Sequence, residues 1–452
     1  MAIKTSKITM KLLEEIKKGL PADLSSEDLL LVALSGGADS VCLLLALHEL
    51  GYQVEALHCN FELRSVESDA DEAFCRRLCR AQNIPLTVKH FRTRSYAQRK
   101  GISLEMAARE LRYEWFAEQA KTRGAAGICV AHHRDDNIET LLLNLIRGTG
   151  IHGITGMSPR TEQYGVSILR PMLELSREAL EAWLQEREQN WVTDSTNLQP
   201  EAALRNQIRL QLLPLIDKMN PRARTNLQAD IHRFRDAERL YDRAVDEALQ
   251  QLVDADGSVD VASLLAADSP RTLLQEWLYP KGFSTLQISE IYDGLEGQSG
   301  HVWQSEGHRL LRDRGRLVLE ANSSSADEVV LPLEGLFEAS PEVRLLIRRQ
   351  PYSPQSFVIP RERTSACFDL EKLDLPLTIR PIEEGDRMQP FGMDGSRLVS
   401  DILTDRKLSL FEKERQLVVL SGERIVWVVG QRVGAGAEVD DSTRHTMTLT
   451  ML

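Results

Sequence analysis

The chain reads as an α/β protein: a doubly wound, mostly parallel sheet in an N-terminal domain, then a mainly helical middle domain and a small α+β C-terminal domain. Three observations predict this. Residues 29–34 are an unbroken apolar run that meets a glycine turn and then a second apolar run, 41–47, as expected of a strand covered on both faces that feeds a helix. Strand-like stretches at 54–58, 86–90 and 128–131 alternate with helix-like stretches at 68–82 and 103–121, which is the order of a βαβ series. From residue 329 the texture turns strand-rich, at 329–331, 344–348, 377–380, 417–420 and 425–429, interrupted by a short helix at 398–403.

At 452 residues the chain exceeds one core of ordinary size, and three domains are expected, at 1–220, 221–325 and 326–452. Pro171 and Ser176 open a helix over 177–188, and a polar loop beginning Asp194-Ser195-Thr196-Asn197 precedes helical 205–215. Pro214 and Pro221 punctuate the chain, which places the first boundary near Asn220. A long charged helix at 225–252 starts the middle domain. Helical stretches at 259–265, 271–278 and 284–295 continue it, and a hairpin is expected around Asp313-Arg314-Gly315. The run Asn322-Ser323-Ser324-Ser325 is the next linker.

Hydrophobic content of 42% is ordinary for a globular protein. Residues 8–20 are amphipathic rather than continuously apolar, so neither a signal peptide nor a membrane span is expected. Six cysteines with no Cys-x-x-Cys pair fit a reducing cytoplasm. The net charge of −12 argues on average against a polyanionic partner, yet two basic zones stand out. One is Lys89, His90, Arg92, Arg94, Arg99 and Lys100, with Phe91 and Tyr96 among the bases; the other is Arg205, Arg209, Arg222, Arg224, Arg233 and Arg235. Each fits either RNA phosphates or a solvated face.

The chemistry concentrates at strand ends. In the turn Ser35-Gly36-Gly37-Ala38-Asp39-Ser40, the glycines can take positive φ, so backbone N–H groups can close around an anion at the helix N-terminus, with the Ser35 and Ser40 hydroxyls adding donors. Asp39 would repel a phosphate unless Mg²⁺ lay between them, which implies a metal nucleotide. No lysine follows, so this is not the loop that grips a γ-phosphate.

A second motif, Ala131-His132-His133-Arg134-Asp135-Asp136-Asn137-Ile138-Glu139-Thr140, leaves a strand and enters a helix at the same sheet edge. Asp136 and Glu139, three apart, share one helix face and suit either Mg²⁺ or an ammonium group. The paired histidines suggest zinc, but neither H-E-x-x-H nor a cysteine-rich spacing accompanies them. Glu105, Arg109 and Arg112 fall at i, i+4 and i+7. Arg109 suits an ion pair with Glu105, whereas Arg112 before Tyr113 suits bidentate phosphate binding.

The glycine turn resembles the loop of the ATP pyrophosphatase (PP-loop) superfamily. With Ala108-Arg109-Glu110-Leu111-Arg112-Tyr113, the 131–140 motif, Arg147-Gly148-Thr149-Gly150, residues 151–157, Asp194 to Asn197 and Arg205-Asn206, the order is similar to that of the tRNA(Ile)-lysidine synthetases. Gly385-Asp386-Arg387, Phe391-Gly392-Met393 and residues 401–415 look like that family's C-terminal domain. One loop departs from it: where the family often has His-x-Asn-His-Gly-Leu-Arg, this chain has His58-Cys59-Asn60-Phe61-Glu62-Leu63-Arg64.

The resemblance implies that ATP adenylates O2 of the wobble cytosine of a tRNA(Ile) with a CAU anticodon, and that free L-lysine then displaces AMP. It assigns Ser35, Gly36, Gly37, Ala38 and Ser40 to the nucleotide and Asp39 to Mg²⁺. Asp136 and Glu139 would hold metal or lysine, and Arg112 and Arg205 would contact phosphate or the activated base. It also implies that the two later domains bind and judge the tRNA. The oligomeric state stays open, a homodimer among the options.

The rivals are a tRNA thiolase, an amidotransferase of the same superfamily and a non-catalytic tRNA-binding protein. A thiolase needs reactive cysteines, and Cys75 and Cys79, one turn apart beside Leu78, look packed. An amidotransferase would need an ammonia-generating domain, for which no N-terminal Cys is present. Intact Asp39, Asp136 and Glu139 speak against a non-catalytic role.

Overall fold

The computed structural model describes residues 7–63, 65–193, 204–322, 327–340, 343–355 and 357–452. The polar loop motif at 194–197, Arg64 and the serines of the 322–325 linker lie outside the described residues. The chain forms two compact units, Met1–Asp242 and Arg243–Leu452.

The first unit is built on strands β1 (Leu29–Ala33), β2 (Gln53–Asn60), β3 (Leu86–His90), β4 (Gly127–Cys129), β5 (Arg160–Gln163) and β6 (Val166–Leu169), in the order β3-β2-β1-β4-β6-β5. All neighbours run parallel except β5, which folds back on β6 through Tyr164 and Gly165, both at positive φ. Helices cover both faces, as expected. On one lie α1 (Lys7–Lys18), α2 (Ala38–Glu49), α3 (Ser65–Ala81) and α8 (Arg177–Gln185), around a core of Ile16, Leu43, Leu44, Leu78, Leu180 and Trp183. On the other, α5 (Leu104–Arg123) packs Tyr113, Phe116 and Ala120 against Leu31, Leu57 and Ile128. Nine of the twelve residues of α2 are buried, and each fully buried leucine contributes roughly 1.5–3 kcal/mol.

Strand order reverses between β1 and β4, whose C-terminal ends carry the two motifs. That crevice is where an open α/β sheet binds its ligand. Between β3 and α5 lies α4 (Thr93–Lys100), a helix with only Thr93 and Ala97 buried. After β4 come α6 (Arg134–Arg147) and the short α7 (Ile151–Ile154). Beyond α8 follow α9 (Leu204–Gln207), a five-residue π-helical turn (Ile208–Leu212), α10 (Leu213–Met219) and α11 (Ala223–Leu252). The first unit continues past Asn220 because the start of α11 is buried in it at Gln228 and Ile231. The last turns of α11 serve the second unit's core through Val245, Ala248, Leu249 and Leu252.

In the second unit, α12 (Val261–Ala266), α13 (Pro270–Leu278) and α14 (Thr285–Asp293) make the helical part. They pack on a small antiparallel sheet, β7-β10-β9-β8, formed by β7 (Ser258–Asp260), β8 (His301–Gln304), β9 (His308–Asp313) and β10 (Arg316–Ala321). The hairpin expected at Asp313-Arg314-Gly315 joins β9 to β10, with Arg314 and Gly315 both at positive φ. The C-terminal part is strand-rich, with one five-stranded and one four-stranded antiparallel sheet around Phe368, Trp427, Met447 and Leu449. Ion pairs Arg309–Glu414 (2.7 Å) and Arg415–Glu320 (2.6 Å) tie it to β9 and β10 of the small sheet.

Candidate active site

The turn after β1 is shaped by Gly36, whose φ of +95° few residues other than glycine adopt. A Cβ there would also press on Cys75 Sγ at 3.3 Å and Val192 Cγ2 at 3.4 Å. Ser40 Oγ accepts from the Ser35 and Gly36 amides (3.1 and 3.2 Å), donates to the Gly37 carbonyl (3.0 Å) and lies 3.0 Å from Ser35 Oγ. The hydroxyls therefore hold the turn closed around its own amides. Gly37 caps α2 with no side-chain acceptor, which leaves that helix N-terminus open to an anion.

Opposite, His133 caps α6. Its Nδ1 accepts from the amides of Asp135 (3.2 Å) and Asp136 (3.4 Å), and Asp136 Oδ2 accepts in return from the His133 amide at 3.1 Å. With Nδ1 used as an acceptor, the ring's proton sits on Nε2, which points at Asp39 Oδ2 (3.6 Å) and Asp136 Oδ2 (3.4 Å). His133 thus joins the two motifs through their carboxylates. Burial pushes His132 down to about 4, against the pull of Asp136, and its Nδ1 accepts from Arg170 Nε at 3.3 Å. It is a neutral imidazole at physiological pH.

A cavity of about 300 Å³ lies between the motifs, lined by Ser35, Gly37, Asp39, Ser40, Arg112, His132 and Asp136 at its polar end. Leu57, Cys59, Phe61, Tyr113 and Phe116 line its apolar wall. Asp39 Oδ1 is buried there without a hydrogen-bond partner among the described residues, an unusual state for a carboxylate oxygen and the one a bound cation would satisfy. Among the described residues no group of three or more His, Cys, Asp or Glu side chains is placed to hold a metal ion. One or two carboxylates suffice for Mg²⁺ when phosphates complete its shell.

The remaining expected residues divide. Arg112 lines the cavity, its guanidinium 5.2 Å from the centroid of the Phe61 ring, with no carboxylate partner among the described residues. Arg109 lies over Tyr113 at 5.0 Å and makes no ion pair with Glu105. Glu139 and Arg205 do not line the cavity. Glu139, only 1% exposed, accepts from Arg205 Nε (3.1 Å) and from Arg209 Nε (2.6 Å) and Nη2 (2.8 Å). Arg209 also reaches Asp136 Oδ1 at 3.0 Å, and Arg205 bonds the Asp136 carbonyl and Thr140 Oγ1. The sequence marks Arg209 only as part of a basic zone; its i, i+4 spacing from Arg205 is the one signal of a shared partner. The π-helical turn carries it, and such turns are frequent at functional sites.

The altered loop is well anchored. His58 Nδ1 donates to the Leu34 carbonyl at 2.8 Å, Asn60 bonds Asp69 and Glu72, and Asn60 Oδ1 accepts from the Glu62 amide. Glu62 has φ +50°, a conformation that glycine adopts freely. Asn137 Oδ1 accepts from the Met157 amide at 2.6 Å and fixes the 148–157 loop; at Gly156 (φ +68°) a Cβ would meet that oxygen at 2.2 Å.

Within both basic zones much of the charge is engaged in the fold, while Arg92, Arg94, Arg99 and Arg222 are exposed. Phe91 is core rather than a surface aromatic, Lys89 pairs with Glu118, and Lys100 pairs with Glu110. In the second zone Arg205, Arg209, Arg224 and Arg233 are all ion-paired, and Arg235 bonds the Thr155 and Met157 carbonyls. These arginines serve the fold first.

A serine-glycine turn at the switch point of a parallel sheet, facing an acidic helix N-terminus, defines a PP-loop nucleotide enzyme, and residues 4–216 match the PP-loop domain family. Residues 254–322 match the TilS substrate binding domain and residues 377–448 the TilS substrate C-terminal domain. The sequence is 44% identical to a tRNA(Ile)-lysidine synthase of Bacteroides thetaiotaomicron over 93% of this chain and 95% of the relative. It is 41% identical to that of Parabacteroides distasonis (95% and 97%) and 30% identical to that of Bacillus subtilis (89% and 89%). The chain belongs to the tRNA(Ile)-lysidine synthase family.

Proposed function

We propose that this enzyme joins free L-lysine to carbon 2 of the wobble cytidine in a CAU-anticodon tRNA(Ile), consuming ATP. In the first step O2 of the cytosine attacks the α-phosphorus and pyrophosphate leaves; in the second the neutral ε-amine of lysine attacks C2, AMP leaves and the amine sheds a proton. The observation that carries the reading is the single cavity shared by the Ser35–Ser40 turn, Arg112 and Asp136. Ser35, Gly36, Gly37, Ala38 and Ser40 take the departing pyrophosphate, the Ser40 hydroxyl releasing amides it now holds. Asp39 holds Mg²⁺, which supplies positive charge to the phosphates, and Asp136 is the second carboxylate in reach. Arg112 stabilises charge on the reacting phosphate.

Of the pair read as metal or lysine ligands, Asp136 faces the cavity and is assigned the direct contact. Glu139 acts through Arg205 and Arg209, whose guanidiniums it binds. The later parts of the chain, near 221–325 and 326–452, engage the tRNA, and the reaction is assigned to the cytoplasm.

A thiolase is disfavoured on a specific ground. Burial pushes Cys75 up to about 12 and Cys79 up to about 11, so neither is a thiolate at neutral pH. The test is pyrophosphate release with tRNA(Ile) bearing CAU, with and without lysine. Product that forms only with lysine and carries its mass supports the reading; sulfur incorporation, or no turnover, overturns it.

A further inference from the structure

Arg112 is unusual among the arginines of this site. Arg205 and Arg209 are neutralised by Glu139 and Asp136, whereas Arg112 has neither a carboxylate nor a hydrogen-bond partner among the described residues and still projects into the cavity. A long side chain with that freedom would lose rotamer entropy each time it engaged a phosphate. What limits it is Phe61. The guanidinium lies 5.2 Å from the centroid of that ring, and the ring is itself fixed. Phe91 stacks on it with centroids 5.5 Å apart and planes 20° from parallel, and Thr93 Oγ1 donates to the Phe61 carbonyl at 2.9 Å. The left-handed Glu62 that follows is held by Asn60.

We propose that Phe61 is a positioning residue for the adenylation step. Its ring holds the Arg112 guanidinium at the cavity wall while leaving the charge unneutralised for the reacting phosphate. An aromatic face suits this task better than a carboxylate would. It attracts the cation through its quadrupole but adds no negative charge beside ATP, and it releases the guanidinium at small cost. The ring also belongs to the apolar wall, so one side chain both excludes water and aims the cation. The inference rests on the assignment of Arg112 to phosphate.

The test is a double-mutant cycle on pyrophosphate release, with melting curves confirming that each variant is folded. Phe61→Leu, which keeps apolar bulk without a π face, is expected to lower kcat about three- to ten-fold with little change in the KM for ATP. Phe61→Tyr should restore kcat to within about two-fold of the parent. In an Arg112→Ala background, Phe61→Leu should cause no further loss. Leucine as active as phenylalanine, tyrosine as poor as leucine, or losses at the two sites that multiply would each overturn the proposal. If Arg112→Ala alone leaves pyrophosphate release unchanged, the phosphate role of Arg112 is what fails, and the role of Phe61 falls with it.

Discussion

Asp39 is a carboxylate with a buried oxygen that has no hydrogen-bond partner among the described residues, in the first turn of α2 and beside the histidine that caps α6. An arrangement so poor in hydrogen bonds contributes little to folding. Asp39→Asn should therefore melt at or above the parent temperature while abolishing pyrophosphate release at saturating Mg²⁺. Appreciable turnover of the variant would remove Asp39 from the metal site. His58 presents the opposite case, a side chain that works for the fold. Burial lowers its pKa, against the Leu34 carbonyl bond that raises it. The folded state thus favours neutral imidazole, while the unfolded chain takes up a proton below about pH 6.5. Stability from this group is complete above that pH and is lost as pH falls toward the depressed folded value, by at most about 1.4 kcal/mol per pH unit. Urea titrations between pH 5 and 8 should show a shallower acid-side decline in His58→Asn; identical slopes would assign the proton uptake elsewhere.

At the scale of elements, what is legible in the sequence is whatever chemistry is local. The strand–turn–helix of β1 and α2 and the acidic start of α6 are contiguous motifs, and their meeting follows from parallel order alone. The roles of Phe61, of Arg209 and of His133 in facing Asp39 are not legible there, because each acts across elements distant in sequence. Helix α4 leaves no clear pattern because only Thr93 and Ala97 face inward, too few to make an apolar stripe. The half-exposed strands β8 and β10 show no clean alternation either. The packing of α6 against α9 and the π-helical turn yields a prediction at this scale. Glu139→Gln removes the charge shared by two guanidiniums and should cost about 1.5–3 kcal/mol of stability. Transfer of label from the α-phosphate of ATP to tRNA should fall, with the lysine KM changing less than about three-fold. A rise in that KM of about ten- to hundred-fold, the effect of removing a charge-assisted hydrogen bond, with labelled tRNA accumulating when lysine is scarce, would instead place Glu139 against the lysine ammonium.

For the whole molecule the question is how a chain of net charge −12 holds an RNA. Composition cannot answer it, because a cation already paired within the fold has little charge left to offer. In the second basic zone Arg224 is bound by Asp135 at 2.7 Å and Asp217 at 2.8 Å, and Arg205, Arg209, Arg233 and Arg235 are likewise engaged, while Arg222 is exposed. In the first, Lys89 and Lys100 are paired, but Arg92, Arg94 and Arg99 are exposed and have no carboxylate partner among the described residues. Arg94 makes one 3.4 Å bond to the Leu63 carbonyl, and Arg99 lies over the Tyr96 ring. These three, on or beside α4, form a cluster of cations free to displace counterions from phosphate. Replacing all three with Gln should weaken tRNA binding and flatten its dependence on log salt by about one unit of slope for each phosphate that is no longer neutralised. Arg224→Gln serves as the control. It should lower the melting temperature by breaking a buried pair while leaving the salt slope alone. If the triple variant keeps the parent slope, the segment is a solvated face; if Arg224→Gln flattens it, the ion pairs of the free protein open when tRNA binds and the division into paired and free cations no longer describes the interface.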